Sequence, residues 1–321
     1  MVAQQQHSAN AYDHERPLLR LGTRGSPLAL AQAAEVAECL VASDAALAGR
    51  IETIVVKTSG DRIVDRPLAE VGGKGLFARE IQDMLRDGTL DFAVHSAKDL
   101  ETRLPYGLTI ASVLPREDPR DVLLCARAKS IDELPRGARL GTASMRRGAQ
   151  LLHRRPDLKI VTLRGNVDTR LRKLREGEVD ATVLALAGLR RLDRDEPTAS
   201  VIDATEMLPA VGQGTIAIEC REDAADIKTL LARIDDPATA GCLAAERSML
   251  AALDGSCQTP IAGLAQIDGD SLSLEGLVAT PDGKVVHRLT HEAPRGDAVA
   301  LGTGLGTALH ELAPSELFAA W

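Results

Sequence analysis

The chain has 321 residues, a formal net charge of −8 at pH 7 and 45% hydrophobic residues, values typical of a globular protein with two or three domains. Only 2% of the residues are aromatic, which disfavours single-stranded nucleic acid as a partner because such binding relies on base stacking. No segment reaches the ~18 apolar residues of a membrane span. Five cysteines without disulfide or zinc spacing predict a reduced, cytoplasmic chain with no metal site. Residues 1–17 predict a disordered tail without a secretory signal.

A tetrapeptide, Arg-Leu-Gly-Thr, occurs twice, at Arg20–Thr23 and Arg139–Thr142, and each copy ends a short apolar run. A serine, Ser26 or Ser144, follows each copy and precedes a helical pattern, as at the start of a βα unit. After each copy, helix, strand, helix and strand alternate: Pro27–Ala42, Ile51–Lys57, Gly75–Asp87 and Asp91–Ser96, then Ser144–Arg154, Lys159–Leu163, Val167–Glu176 and Ala181–Leu186. This alternation predicts two similar α/β domains with mostly parallel sheets, and both repeat loops would point into a cleft between them.

The pattern changes after residue 215 and predicts a smaller α+β domain at the C-terminus. The predicted elements are a strand, two helices, a hairpin and a last helix: Thr215–Glu219, Ala224–Ile234, Ala238–Leu253, Ser271–Thr280 with Lys284–Thr290, and Asp297–Leu312. The hairpin is indicated by the turn residues between its strands. We expect domain 1 to span 18–114 plus 215–233, domain 2 to span 115–214, and the C-terminal domain to span 234–321.

One stretch is strongly basic in this acidic chain. Residues 136–175 contain ten Arg and two Lys against Asp157 and Asp168. Such a local field favours an anionic partner, and Arg grips carboxylates or phosphates with two parallel bonds. Arg146, Arg147, Arg164 and Arg170 fall at predicted helix starts or strand ends facing the cleft, where free backbone amides also favour carboxylates. A solvated face is favoured for Arg172, Lys173 and Arg175, further down their helix, and for Arg154 and Arg155.

Two further segments carry candidate chemistry. Lys98 and Asp99 follow a strand end, where catalytic groups gather in α/β folds; a helix cap or surface ion pair is the alternative. Val71–Gly75 lacks the spacing of a phosphate loop and predicts a mobile lid with a basic tip at Lys74, with an ordinary surface loop as the alternative.

A loop cysteine is the third candidate. Cys257 lies in a Gly-Ser-Cys-Gln loop, a place more typical of a reactive or attachment residue than of a buried structural thiol. A structural cysteine remains the alternative here.

Taken together, these residues resemble the porphobilinogen deaminase (hydroxymethylbilane synthase) family. The resemblance runs from about Leu19 to Pro260 and weakens in the C-terminal third. Seven motifs carry it: Thr23–Ala29, Val71–Phe77, Val94–Asp99, Arg116–Asp121, Gly141–Arg147, Leu163–Arg170 and Gly212–Gly214. The resemblance implies two domains like those of periplasmic binding proteins, a smaller third domain, and a monomer without an obligate protein partner.

The resemblance also implies a reaction and its residues. The expected activity joins four porphobilinogen molecules head to tail into hydroxymethylbilane, with release of four ammonia, in haem biosynthesis. Asp99 would be the catalytic carboxylate, and Cys257 would hold a dipyrromethane cofactor through a thioether. The cofactor-binding set would be Lys98, Thr142, Ser144, Arg146, Arg147, Arg164, Arg170 and Arg191. The substrate-binding set would be Arg24, Ser26, Ser96 and Gln213, and the lid would include Lys74 and Phe77.

Three positions depart from the family pattern: Glu70 stands where Lys is common, Ala97 where Met or Leu is common, and Ser256 where Gly precedes the cysteine. Two alternatives come from other classes. A non-catalytic two-lobed protein for a small polycarboxylate is disfavoured by the presence of Asp99 and Cys257. A phosphate- or nucleic-acid-binding protein is disfavoured by the missing phosphate-loop spacing and the scarcity of aromatic residues.

Overall fold

The computed structural model describes residues 18–62, 78–256 and 259–313. In this part of the chain the strands are β1 (Leu19–Arg24), β2 (Ile51–Val56), β3 (Phe92–Ser96), β4 (Leu108–Val113), β5 (Asp121–Leu124), β6 (Arg139–Gly141), β7 (Lys159–Val161), β8 (Ala181–Ala185), β9 (Ala199–Val201), β10 (Ile216–Arg221), β11 (Ile261–Asp268), β12 (Ser271–Ala279) and β13 (Val286–Pro294). The helices are α1 (Pro27–Ser43), α2 (Ser59–Arg62), α3 (Arg79–Arg86), α4 (Met145–Arg154), α5 (Val167–Arg175), α6 (Leu186–Arg191), α7 (Ala225–Leu231), α8 (Pro237–Ala252) and α9 (Ala298–Leu312).

Three sheets organise these elements. The first lobe is built on a sheet of order β2-β1-β3-β10-β4, and the second lobe on a sheet of order β7-β6-β8-β5-β9. The C-terminal unit has the sheet β11-β12-β13, with α8 and α9 packed against it. The prediction of two similar α/β lobes and a smaller α+β unit is confirmed.

The sheets are mostly parallel, as predicted, with one antiparallel strand in each lobe. β1 runs parallel to β2 and β3, and β6 runs parallel to β7 and β8. β10, however, is antiparallel to both β3 and β4, and β5 is antiparallel to both β8 and β9. Each antiparallel strand follows a crossing of the chain between the lobes. β5 comes directly after β4 of the first lobe, and β10 comes directly after β9 of the second. These crossings are the first crossover (residues 114–120) and the second crossover (residues 202–215).

The local signals explain why the repeated units fold alike. Ser26 and Ser144 each accept a hydrogen bond from a backbone N–H in the first turn of the helix that follows, so both are N-caps. Pro27 occupies the first helical position of α1, where its missing N–H has no consequence. The helices predicted to follow the two copies of the tetrapeptide are therefore confirmed within about two residues at their N-termini.

The C-terminal unit is held by close helix packing. A Cβ on Gly302 in α9 would lie 2.1 Å from the carbonyl oxygen of Ala245 in α8, so only glycine lets the helices approach this far. The predicted hairpin around Pro281–Gly283 is confirmed, although β13 starts at Val286, two residues later than expected. β11 was not predicted, and it forms the third strand of this sheet.

Candidate active site

The first lobe places a carboxylate and an arginine at one edge of its sheet. β1 ends at Arg24 and the neighbouring parallel strand β3 ends at Ser96, so both ends lie at the same edge. A 3₁₀ turn, Ala97–Asp99, follows β3. Arg24 Nη1 lies 4.0 Å from Asp99 Oδ2, and both side chains line a pocket that also includes Ser26. The structure therefore brings these three predicted site residues together.

A glutamine that sequence reasoning missed lines the same pocket. Gln32 in α1 is 4% exposed, and its Oε1 accepts a hydrogen bond of 3.1 Å from Ser96 Oγ. A polar residue on the buried face of an otherwise apolar helix is the signal that could have revealed it. The contact fixes the orientation of the Ser96 hydroxyl at the edge of the pocket.

Two hydroxyl groups of the second lobe stabilise the turn that precedes Arg146 and Arg147. Thr142 Oγ1 accepts from the backbone N–H of Ser144 at 3.1 Å, and Ser144 Oγ accepts from that of Arg147 at 3.4 Å. These bonds set the turn that starts α4, whose first residues include Arg146 and Arg147. Thr142, Arg146 and Arg147 are buried. Thr142 and Ser144 are thus close to the two arginines, as the sequence predicted.

A fully buried carboxylate, to which the sequence analysis gave no role, organises these arginines. Asp121 Oδ2 accepts from Arg146 Nη2 at 2.9 Å, and its Oδ1 accepts from Arg147 Nη2 at 2.8 Å. Burial alone raises the pKa of Asp121, but the two guanidinium groups, with hydrogen bonds from Arg147 and Gln213, hold that pKa well below its ordinary value. Arg146 Nη1 also donates to the carbonyl of Leu208 at 2.7 Å. Arg146 is therefore committed mainly to protein groups.

Gln213 links this carboxylate to the first lobe. Its Nε2 donates to Asp121 Oδ1 at 2.9 Å and to the carbonyl of Pro119 at 2.6 Å, and its Oε1 accepts from Lys98 Nζ at 3.3 Å. Gln213 is fully buried. Burial and the positive charge of Arg147 together lower the pKa of Lys98 to about 8, while Asp99 opposes the shift. Lys98, Gln213 and Asp121 thus form one chain of contacts between the lobes.

Arg170 adds a third cation that acts on Asp99. Asn166 caps α5 by accepting from the backbone N–H of Thr169 at 2.9 Å, and Arg170 Nε donates to the carbonyl of Gly165 at 2.8 Å. Burial, with the charges of Arg147 and Arg164, lowers the pKa of Arg170 to about 10, and Asp99 opposes the shift. A carboxylate of the first lobe thus lies within the field of a cation of the second.

Many other charges of the basic stretch are neutralised locally. Their ion pairs are Arg139–Asp180, Arg154–Asp132, Arg155–Asp157, Arg172–Glu176 and Lys173–Glu178. The solvated-face interpretation is confirmed for the exposed Arg154, Arg172 and Arg175. It is wrong for Arg155, whose side chain is 17% exposed and donates to the carbonyls of Ile131, Asp132 and Leu134. Arg191, by contrast, is largely buried and reaches Glu35 of the first lobe.

Three predicted site residues, Lys74, Phe77 and Cys257, lie outside the described residues. The described residues on both sides of Cys257 are anchored. The carbonyl of Gly255 accepts from Thr102 Oγ1 at 2.7 Å, and the carbonyl of Ser256 accepts from Thr259 Oγ1 at 2.6 Å. Thr102 follows Asp99 by three residues, so the N-terminal flank of the cysteine loop is fixed close to the segment that carries Asp99.

The donor set of the cleft fits an anion with several carboxylates. Among the described residues, Arg146 Nε, Arg147 Nε and Arg191 Nη2 are buried without a hydrogen-bond partner. The lowered pKa values of Lys98 and Arg170 indicate burial and crowding of positive charge.

Within residues 18–62, 78–256 and 259–313, no cluster of His, Cys, Asp or Glu forms a metal site, and no helix is long and apolar enough to cross a bilayer.

The comparisons with known proteins agree on one family. Residues 19–229 match the family described as "Porphobilinogen deaminase, dipyromethane cofactor binding domain", and residues 240–311 match "Porphobilinogen deaminase, C-terminal domain". Relatives named porphobilinogen deaminase occur in Nitrobacter winogradskyi, 51% identical over 94% of this chain and 95% of the relative, and in Paracoccus denitrificans, 51% identical over 95% and 97%. The match to the C-terminal domain extends the sequence resemblance beyond Pro260.

A plant relative and a solved structure complete the comparison. The chloroplastic porphobilinogen deaminase of Oryza sativa subsp. japonica is 50% identical over 86% of this chain and 78% of the relative. The BvgS periplasmic VFT2 domain of Bordetella pertussis is 17% identical, with a TM-score of 0.40 over 67% of this chain and 86% of that domain.

Proposed function

This chain belongs to the porphobilinogen deaminase family, and we propose that it is a transferase that joins four porphobilinogen molecules head to tail into hydroxymethylbilane, releasing four ammonia, in haem biosynthesis. One observation carries the proposal beyond family membership. Asp99, at a strand end of the first lobe, lies 4.0 Å from Arg24 and within the field of Arg170 from the second lobe. A substrate with two carboxylates and an aminomethyl cation finds both signs of charge in this cleft.

The cationic groups on both lobes support binding of the dipyrromethane cofactor. We propose that Lys98, Arg147, Arg164, Arg170 and Arg191 hold its carboxylates, with Thr142 and Ser144 shaping the turn beneath them. When bound, the cofactor supplies the pyrrole from which the chain of rings is extended. Arg146 contributes charge, because two of its nitrogens already bind Asp121 and the Leu208 carbonyl.

Asp99 and its neighbours have distinct proposed roles. The Asp99 carboxylate stabilises positive charge on a pyrrole ring and holds a proton during deamination. Arg24, Ser26 and Ser96 bind the carboxylates of the incoming substrate at the mouth of the pocket they line. Gln213 positions Lys98, because its own amide is engaged by Asp121 and Pro119.

Cofactor attachment is assigned to Cys257. The anchored flanks of its loop support this proposal, since Gly255 is bonded to Thr102 close to Asp99. A thioether is a stable bond, so the attached pyrroles stay on the enzyme while the tetrapyrrole product leaves. Lys74 and Phe77 keep their proposed role in a lid over the cleft.

The wider organisation is also a proposal. The three sheets support domains at 18–114 plus 215–233, 115–214 and 234–321. Cys125, Cys220 and Cys242 are buried free thiols, which supports a reducing, cytoplasmic location. We propose a monomer that acts on a small molecule and needs no nucleic acid, membrane or obligate protein partner.

The deciding experiment is the intact mass of the denatured protein, together with turnover of porphobilinogen. We expect an added mass equal to two porphobilinogen-derived rings, located on the peptide that contains Cys257, and its loss in Cys257→Ser. A purified protein with an unmodified mass that takes up nothing from added porphobilinogen, and forms no hydroxymethylbilane, would contradict the proposal. Such a chain would keep the fold without the chemistry.

A further inference from the structure

An ion pair between the lobes involves one of the proposed binding arginines. Arg191, the last residue of α6 in the second lobe, donates from Nε to Glu35 Oε2 in α1 of the first lobe at 3.0 Å. The Arg191 side chain is 9% exposed and that of Glu35 is 39% exposed. The arginine is therefore largely withdrawn from solvent, whereas the carboxylate can still be reached by water.

The pair lies on the same face of α1 as the candidate active site. Leu28, Gln32 and Glu35 follow the spacing i, i+4 and i+7, which places them on one face of the helix. Leu28 and Gln32 line the pocket that contains Asp99. Leu28 also faces α6, because a Cβ on Gly188 would lie 3.6 Å from it. Since three residues rise about 4.5 Å along a helix, Glu35 continues this face a single step beyond the pocket.

Glu35 uses only part of the guanidinium group. Its bond is to Nε, while Nη2 of Arg191 is buried and has no hydrogen-bond partner among the described residues. Nε and Nη2 form one of the two edges at which a carboxylate can bind arginine through two parallel bonds. A buried donor without a partner is unfavourable, so this edge is incompletely satisfied by Glu35.

The adjacent arginine keeps α6 in place independently. Arg190 Nη1 donates to Glu117 Oε1 at 2.6 Å, and Arg190 Nη2 lies 3.8 Å from Asp118 Oδ2. Both acids belong to the first crossover. The end of α6 therefore has a second anchor, and the bond between Glu35 and Arg191 can break without releasing the helix.

From these contacts we propose that Glu35 is a resident counter-ion of Arg191, which a ligand carboxylate displaces by binding Nε and Nη2 together. Glu35 is a positioning residue: it holds the Arg191 guanidinium in place before a ligand carboxylate reaches it, and it competes with that carboxylate for it. This inference rests on the proposed function in that it takes Arg191 as a binder of substrate or cofactor carboxylates. It adds that Glu35, a residue of the same chain, competes with the ligand carboxylate for Arg191.

Removal of the competitor tests the inference. Because Arg191 is assigned to the cofactor carboxylates, the test uses Glu35→Gln in the Cys257→Ser protein, which is expected to lack the covalent cofactor. The matched control is Glu38→Gln, which removes the same charge from an exposed position in the same helix and is expected to leave the ligand affinity unchanged. Glu35→Asp keeps the charge and is expected to stay close to wild type.

A binding measurement separates this inference from the proposed activity. Mellitate, an aromatic hexacarboxylate, is titrated calorimetrically into the full-length Cys257→Ser protein and the same variants in that background. Glu35→Gln is expected to bind it about three- to fivefold more tightly, the value of an ion pair at the upper end of the partly exposed range. The gain must vanish when Arg191→Gln is added. Unchanged or weaker binding in Glu35→Gln overturns the role of Glu35, and so does a gain equal to that of Glu38→Gln. A wild-type protein that binds mellitate but turns over no porphobilinogen refutes the activity alone.

Discussion

Glu246 in α8 binds Arg116 of the first crossover through both carboxylate oxygens, at 2.5 Å and 3.3 Å. The same carboxylate accepts from the backbone N–H of Gly212 in the second crossover at 2.6 Å and from that of Ala265 in β11 at 2.8 Å. Glu246 is fully buried. One side chain thus joins the C-terminal unit to both connections between the lobes.

Loss of Arg116 is expected to destabilise the protein strongly. Arg116→Leu leaves Glu246 buried with only backbone donors, and breaking one partner of a buried pair costs about 3–5 kcal/mol. Urea unfolding of the full chain measures the loss. Arg172→Gln breaks the exposed pair with Glu176 and is the control, with a far smaller change expected. Equal effects of the two variants would show that the buried pair adds no special stability.

Gly214 lies where the two crossovers contact each other, and a side chain at this position should destabilise the protein. Gly214 has a φ of +89°, and a Cβ there would lie 2.2 Å from the carbonyl oxygen of Glu117. Gly214→Ala is expected to cost about 2–4 kcal/mol through strain and overlap. Gly177→Ala is the matched control, since its φ is +75° but no atom lies within 4 Å of a Cβ. If both variants lose the same stability in urea unfolding, the overlap has no effect.

Local signals account for the elements that could be predicted. Ser26 with Pro27, and Ser144 before the second helix, are caps whose effect extends only a few residues, so α1 and α4 were found. β5 was not predicted as a strand, and β10 was predicted without its antiparallel orientation. That orientation depends on pairing with strands distant in sequence, such as the pairing of Ile216 with Ser96. Periodicity carries no information about such pairing.

The candidate site, too, could be predicted only in part from the sequence. Arg24 and Asp99 were predicted as site residues, and the fold brings them together because β1 and β3 are parallel neighbours. Gln213 was predicted to bind substrate, but the structure places it in a buried chain of contacts between Lys98 and Asp121. The signal for Asp121 was present, since it begins a strand of otherwise apolar residues, yet its partners could not be identified from spacing along the chain.

Neutralising Asp121 should disrupt both arginines that it holds. Asp121→Asn leaves Arg146 and Arg147 buried without their carboxylate, which is expected to cost about 3–5 kcal/mol at neutral pH. Because the folded-state pKa lies below the ordinary value of 3.8, the ionised carboxylate stabilises the fold above that value and loses this effect as the pH falls.

The measurement is urea unfolding of wild type and Asp121→Asn across the acidic range. The stability difference between them should be constant from neutral pH to about pH 5 and should shrink below the ordinary aspartate pKa. Asp132→Asn, which removes an exposed carboxylate paired with Arg154, is the control. A difference that stays constant below the ordinary pKa would contradict the assigned pairing.

Asp99→Asn should separate binding from turnover. The substitution keeps the size of the side chain and its place beside Arg24 but removes the negative charge, so we expect kcat to fall at least about 100-fold, within the range of a positioned acid–base group. Mellitate affinity should be unchanged or slightly greater, because one negative charge leaves a cationic cleft. Turnover close to wild type would exclude Asp99 as the catalytic carboxylate.

Lys98 predicts how ligand binding depends on pH. Its folded-state pKa of about 8 is below the ordinary 10.5, so the ammonium group is charged below pH 8 and neutral above it while the cleft is empty. Affinity for mellitate should therefore fall between about pH 7.5 and about pH 9.5, and binding in that window should take up a proton. The lowered pKa also means that the unfolded chain holds this proton between about pH 8 and about pH 10.5, so this group makes stability rise with pH there.

The binding experiment uses the Cys257→Ser protein, which is expected to lack the covalent cofactor, and calorimetry in two buffers of different ionisation enthalpy. In Lys98→Arg the cation stays charged throughout, so the decline should disappear; a decline that persists would assign it to another group.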